Sequence, residues 1–282
     1  MNYRHIYHAG NFSDVVKHAV LALLLERLRA KDTPFCVLDT HAGIGRYDLH
    51  SVEAGKTGEF RSGIARLLDR TDLPAALSPY LDAVRALNPE DPRPEALRWY
   101  PGSPRLARAL MRPGDRLVLA ELHPEDAAIL KREFADDRVV AVHHMDGWLT
   151  LKAFLPPPER RGLVLIDPPF EQPDEFDRLV QGLTLGHKRW PTGIFALWYP
   201  IKERPAVWRF HEALERTGIP RIIAAEVTVF PEDTHMRLNG AGMVVVNPPW
   251  QFDSALETLL PALHRALGAE AGGARVFRVA GE

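Results

Sequence analysis

Gly162-Leu163-Val164-Leu165-Ile166-Asp167-Pro168-Pro169-Phe170 is an apolar run that stops at an acid, two prolines and an aromatic. An apolar run without polar alternation reads as a strand buried on both faces, the mark of a parallel sheet covered by helices. Its end has a chemical use as well. Pro168 and Pro169 carry no backbone N–H and fix φ, so the turn presents acceptors, namely the Asp167 carboxylate and the Pro168 carbonyl. Such a pair suits an exocyclic amine, and the Phe170 ring suits the flat base that carries it. The same letters also describe a strand that merely ends in a proline-stiffened turn. The rest of the chain has to decide.

Similar apolar runs lie at 35–39, 116–122, 139–143 and 193–198, with helical periodicity at 124–134 and 174–184 between the later ones. Residues 14–28 read as a leading helix that Ser13 or Asp14 can cap, and 103–110 as a helix capped by Ser103. Strands alternating with helices predict an α/β fold with a mostly parallel, doubly wound sheet. Two late runs, 221–230 and 241–246, have no long crossover between them and predict a C-terminal antiparallel hairpin. From 51 to 99 the pattern breaks into proline-punctuated helical pieces, read as a small helical insertion after the first βα turn. The expected organisation is residues 1–50 (leading helix, first strand and turn), 51–99 (insertion) and 100–282 (the remainder of the α/β domain).

Composition excludes more than it selects. Hydrophobic content of 46% and charged content of 26% are those of an ordinary globular protein. Cys36 is the only cysteine, which rules out a disulfide framework and fits a reducing cytosol. The first residues lack the apolar core of a signal peptide, and no run approaches membrane-spanning length, so a cytoplasmic protein is expected. A net charge of −2 argues against a surface that binds nucleic acid everywhere, while leaving room for a local basic face. His5, His8 and His18 have neither cysteines nor a His-Glu-x-x-His spacing beside them, so no metal is expected.

In an open parallel sheet, ligands bind beyond the carboxyl ends of the strands. Each such end in this chain carries a usable group. The first is followed by Asp39-Thr40-His41-Ala42-Gly43-Ile44-Gly45, where Gly43 and Gly45 permit a tight turn and close backbone approach. The strand over 116–122 brings Glu121, an acid able to accept both hydroxyls of a ribose. The next ends near Asp146-Gly147, able to contact an adenine edge, and the fourth at Asp167. Each is bland alone; the ordered set is the layout of an S-adenosylmethionine-dependent methyltransferase with an amino-group acceptor. Asn247-Pro248-Pro249-Trp250 imitates the acceptor motif, but it follows a strand expected to run antiparallel and so belongs at the opposite edge of the sheet.

The residues also carry a family resemblance. Tyr3-Arg4-His5, His8-Ala9-Gly10-Asn11, Asp14-Val15-Val16-Lys17-His18 and Leu38-Asp39-Thr40-His41-Ala42-Gly43 are its specific strings. Tyr100-Pro101-Gly102-Ser103-Pro104, Glu121-Leu122-His123-Pro124, Leu165-Ile166-Asp167-Pro168-Pro169, Ala196-Leu197-Trp198-Tyr199-Pro200 and Val246-Asn247-Pro248-Pro249-Trp250 extend it nearly end to end. On these the chain resembles the bacterial family that makes N6-methyladenosine in 23S ribosomal RNA. The resemblance implies a Rossmann-like class I methyltransferase domain with a small helical insertion, and S-adenosylmethionine as cofactor. It implies cofactor contacts at His18, His41, Ser103, Glu121, Asp146 and Gly147, with Lys17 close by, Asp167 as catalytic acceptor and Tyr3 near the RNA. Two positions depart from the common pattern. Phe170 stands where tyrosine is frequent, which keeps stacking but removes a phenolic hydrogen bond, and His41 occupies the first position of the usual glycine turn.

The mechanism expected from these residues has Asp167 and the Pro168 carbonyl accepting the two N6 hydrogens while Phe170 stacks on the base. Asp167 then either takes the proton or only holds it for water. Arg4, Lys17, Arg27, Arg29, Lys31, Lys56, Arg61 and Arg66 are candidates for tracking phosphates, or plain solvated helix faces. The partner expected is 23S ribosomal RNA, without a membrane, and the protein is expected to be monomeric. A DNA adenine methyltransferase uses the same acid-proline-proline chemistry, and a non-catalytic RNA-binding scaffold would keep the fold. A dinucleotide oxidoreductase fits less well, because Asp48 breaks the Gly-x-Gly-x-x-Gly pattern.

Overall fold

The apolar run before Asp167 divides its side chains between two cores. In β6 (Gly162–Ile166), Leu163 and Leu165 enter the core on one face of the sheet while Val164 and Ile166 enter that on the other. In β1 (Cys36–Asp39), Val37 goes one way and Cys36 and Leu38 the other. Each of the Val, Leu and Ile side chains among them, withdrawn from water, contributes about 1.5–3 kcal/mol. A central strand of a doubly wound sheet therefore reads as an apolar run, with a polar residue only at its carboxyl end, as at Asp39. The computed structural model describes residues 4–91, 93–231, 237–269 and 271–281, and Tyr3 lies outside them.

The remaining elements follow in chain order. α1 (Phe12–Arg29) precedes β1; β2 (Arg46–Asp48), α2 (Val52–Thr57), α3 (Ser78–Ala86) and β3 (Trp99–Pro101) come next. α4 (Ser103–Leu110), β4 (Arg116–Glu121), α5 (Pro124–Glu133), β5 (Val140–His144) and α6 (Gly147–Ala153) lead into β6. After it stand α7 (Glu175–Arg189), β7 (Ile194–Ile201), α8 (Arg204–Arg216), β8 (Ile222–Thr228), β9 (Gly240–Val246), α9 (Phe252–Ala266) and β10 (Gly273–Ala280). The main sheet runs β10-β8-β9-β7-β6-β1-β4-β5. β5, β4, β1, β6 and β7 are parallel neighbours, whereas β9 runs antiparallel to both β7 and β8. The expected parallel sheet with a C-terminal antiparallel hairpin is thus the observed one. β10 adds an antiparallel edge that the sequence reading lacks.

α1 is buried almost all round, even at Asp14, Lys17 and His18, as a helix apolar on every side must be. Its cap is Asn11, whose side chain accepts from the Asp14 backbone N–H at 2.9 Å, rather than Ser13 or Asp14. The stretch between β2 and β3, which pair as a small two-stranded ribbon, holds α2, α3 and single turns of tighter helix. Its Ile64, Leu67, Tyr80 and Val84 belong to the same core as α1. Among the described residues, no helix is long and apolar enough to cross a membrane.

Candidate active site

The carboxyl ends of β1, β4, β5, β6 and β7 open onto one cleft of about 740 Å³. α1 crosses behind it and presents Asp14, Lys17 and His18 on one face, as spacings of three and four residues require. The Lys17 ammonium sits 2.9 Å from Asp14 Oδ1 and 2.6 Å from Asp167 Oδ2. Asp14 Oδ2 in turn accepts from the Gly10 N–H at 2.9 Å and lies 2.8 Å from His5 Nε2. Burial alone would drive charge out of this cluster. His5 and Lys17 nonetheless hold the Asp14 carboxyl well below its ordinary value, and Asp14 and Asp167 hold Lys17 well above its own. The consequence is a fixed ion triad that orients Asp167 at the end of β6.

His18 is neutral, because burial pushes its pKa down to about 3. Its Nδ1 lies 2.7 Å from the Tyr100 hydroxyl, which lies 2.9 Å from that of Tyr80. Its Nε2 is buried and has no partner among the described residues. An orphaned ring nitrogen in a cleft wall calls for a ligand atom. Two glycines keep the neighbouring floor open. A Cβ at Gly43, which has φ +62°, would stand 2.3 Å from the Tyr47 hydroxyl, and one at Gly147 would stand 2.1 Å from the Thr40 carbonyl oxygen.

Between them the acids and one imidazole are set by short bonds. Ser103 does not cap α4; Gly102 holds that position, and Ser103 Oγ donates to Asp39 Oδ2 at 2.6 Å. The reason is proximity: Asp39, at the end of β1, is buried and needs a donor more than the helix does. Burial lifts the Asp39 carboxyl to about 7, against the Ser103 bond and with the help of Asp167. Glu121 accepts from the Gly43 N–H at 2.8 Å and the His123 N–H at 2.7 Å, and burial raises its pKa. Each carboxylate oxygen keeps a second lone pair for a ligand hydroxyl. Thr40 Oγ1 donates to the Leu165 carbonyl at 3.0 Å, so the 2.7 Å contact to His41 Nδ1 places the ring proton there and leaves His41 Nε2 an acceptor. Asp146 caps α6 by accepting from the Trp148 N–H at 2.9 Å.

On the other half, Phe170 sits at φ +51° and packs edge-on against Phe176 at 5.0 Å and Trp198 at 5.6 Å. Pro168, Trp198 and Pro200 line the same wall. Asn247 is elsewhere: its Nδ2 donates to the carbonyls of Pro191 and Gly193, both at 2.8 Å, just before β7 begins and so at the opposite edge of the sheet.

The cleft gathers Lys17, His18, His41, Gly43 and Ser103 with Glu121, Asp146 and Gly147, and it also holds Asp167, Pro168 and Phe170. Arg4 does not line it. Its guanidinium bonds Asp126 at 3.2 Å and lies 3.5 Å from Glu125, at the start of α5. Asp14, Asp39, Tyr47 and Trp198 are site residues to which the sequence reading gave no role in the site. Asp14 left a signal in its place three residues before Lys17 on a helix, and Asp39 in its place at the end of the first strand.

Comparison with known proteins adds the family. The model described as "Ribosomal RNA large subunit methyltransferase D, RlmJ" matches residues 32–279. The protein named "Ribosomal RNA large subunit methyltransferase J" in Escherichia coli (strain K12) is 47% identical over 267 residues, covering 95% of this chain and 94% of its own. Its namesake in Haemophilus influenzae is 45% identical over 273 residues, covering 97% and 96%. The crystal structure of protein LPL1258 from Legionella pneumophila superposes with a TM-score of 0.87 at 33% identity, covering 96% of this chain and 98% of that one.

Proposed function

The chain belongs to the large-subunit ribosomal RNA methyltransferase family called RlmJ, and from that premise we propose that it transfers a methyl group from S-adenosylmethionine to N6 of an adenosine in 23S ribosomal RNA. It is a methyltransferase enzyme; the cofactor, the acceptor atom and the roles of individual residues are the content of the proposal. The observation that carries it is the cleft itself, in which the acceptor turn Asp167–Phe170 and the unsatisfied His18 nitrogen open onto one space.

S-adenosylmethionine, when bound, supplies an electrophilic methyl group on a sulfonium. Its carboxylate suits a donor at His18 Nε2, its ribose hydroxyls suit Glu121, and its adenine suits the edge at Asp146 and Gly147, with His41, Gly43 and Ser103 around it. Adenine N6 is a poor nucleophile because its lone pair is spread into the ring. Asp167 and the Pro168 carbonyl accept its two hydrogens, turning the nitrogen towards the methyl group, and Phe170 and Trp198 flank the base. Positive charge grows on N6 during transfer, and Asp167 lies beside it, held there by Lys17 at 2.6 Å. The reading includes a monomeric, cytoplasmic protein working on RNA, with 51–99 as an inserted subdomain between 1–50 and 100–282. Tyr3 and Arg4 are assigned to the RNA side.

Labelled S-adenosylmethionine, unmodified 23S RNA and nucleoside mass spectrometry test the reading. N6-methyladenosine from RNA, none from DNA, and a loss of at least about a thousandfold in Asp167→Ala with cofactor affinity within a few-fold are expected. Full activity in Asp167→Ala overturns the assignment.

A further inference from the structure

The cations lining the cleft are of two kinds. Lys17 is enclosed by two carboxylates, and Arg178 bonds Glu175 at 2.9 Å. Lys202 and Arg237 line the same cleft, are exposed to solvent, and have no carboxylate partner among the described residues. They are neighbours through the backbone. Lys202 directly follows β7, and its carbonyl accepts from Asn239 Nδ2 at 3.0 Å, two residues after Arg237. The Asn239 N–H also bonds the Ile201 carbonyl at 2.8 Å, which ties the two segments together.

Arg237 is oriented without an acid. Its guanidinium lies 3.5 Å from the centroid of the Phe230 ring, and Phe230 packs edge-on against Phe12 at 6.2 Å. Stacking fixes the plane of the fork while its N–H donors have no acceptor among the described residues, the state suited to binding an oxyanion. Position decides which oxyanion. The cofactor half of the cleft lies over β1, β4 and β5, and the acceptor turn ends β6. Lys202 and Arg237 lie beyond that turn, on the side of β6 away from β1, β4 and β5. The carboxylate of S-adenosylmethionine is matched by the donor at His18 Nε2, so cations beyond the acceptor turn suit the acceptor.

We propose that Lys202 and Arg237 form a phosphate clamp that grips the RNA backbone beside the target nucleotide. The clamp rests on the RNA reading above. Two phosphates neutralised on a single strand contribute about 1.4 to the slope of log affinity against log salt, and about 25-fold in affinity at 0.1 M salt.

The test is RNA binding and methylation by Lys202→Gln/Arg237→Gln, with wild type, across 0.05–0.5 M salt at about those values. The probe is an unmodified 23S transcript. Expected are affinity weaker by about 25-fold at 0.1 M, a salt slope shallower by about 1.4, and S-adenosylmethionine affinity as in wild type. Lys202→Arg/Arg237→Lys, which keeps both charges, should recover most of the affinity and of the slope. An unchanged slope in the double glutamine variant, with wild type still methylating RNA, overturns the clamp alone. Wild type that binds DNA and not RNA, or neither, overturns the RNA reading and the clamp with it.

Discussion

A histidine whose outer nitrogen must donate needs its inner nitrogen to be an acceptor, and in this protein a chain of hydroxyls arranges that. Tyr80 can donate to Tyr100, and Tyr100 to His18 Nδ1, which leaves the His18 proton on Nε2 facing the cleft. Tyr80→Phe removes the head of this chain and allows the opposite tautomer to compete. Cofactor affinity measured by calorimetry should fall about tenfold, roughly half the value of a hydrogen bond to a charged group, while RNA affinity holds. Equal cofactor affinity in the variant would show that Tyr100 alone sets the tautomer. None of this is legible in sequence, since Tyr80 and His18 are far apart in the chain and meet only through α3 packing on α1. The strand-end groups Glu121, Asp146 and Asp167 were legible, because a parallel sheet leaves them one place to go. Ser103 was legible as a residue of interest and misread in role: a helix start suggests a cap, and the buried Asp39 that claims its hydroxyl is 64 residues away.

α1 is the element on which the site depends, since it supplies Asp14, Lys17 and His18 from successive positions on one face. Asn11→Ala deletes its cap and should lower stability by about 1 kcal/mol, seen as a lower denaturant midpoint with an unchanged m-value. A fall in m instead would mean that the N-terminal turn unfolds separately. The legibility of elements follows burial. β1, β4, β6 and β9 were readable as apolar runs because both faces are covered. β10 was not: Gly273-Ala274-Arg275-Val276-Phe277-Arg278 places arginines along a half-exposed edge strand, which is how an edge is kept from pairing with strangers. β2 and β3 are three residues each, too short to show a period. α9 contains Pro261, which reads as a break, although the helix continues through it.

Across the whole molecule, buried neutral histidines set the acid limit. His18 and His41 are pushed down to about 3 and His211 to about 4, each chiefly by burial. Their unfolded forms take up protons below about 6.5, so the stability they contribute is present above that pH and lost as pH falls towards 4. Asp39 works the other way. Its folded pKa of about 7 exceeds the unfolded value of 3.8, so the folded state gains as pH falls through 7. Between pH 7.5 and 5.5 these three histidines lose about 4 kcal/mol and Asp39 returns about 2, so these four groups together lose about 2 kcal/mol. Guanidinium melts at the two pH values check this; equal midpoints would mean the histidines are hydrated and charged in the folded state.

The Lys17–Asp167 pair spans 150 residues, and α1 packs on β7 and β9 as well as on its nearer neighbours. During synthesis α1 therefore leaves the ribosome long before the surfaces that cover it exist. At roughly 5–20 residues per second, about 10–40 s separate the emergence of Arg29 from that of Val246. For that interval a helix with scarcely a polar face has α3 and α4 to pack against but not the strands β7 and β9 that complete its cover. The geometry that makes the finished cleft rigid also makes it late: Asp167, β7 and β9 must all be present before Lys17 and its helix are held, so the site assembles only when the sheet is nearly complete.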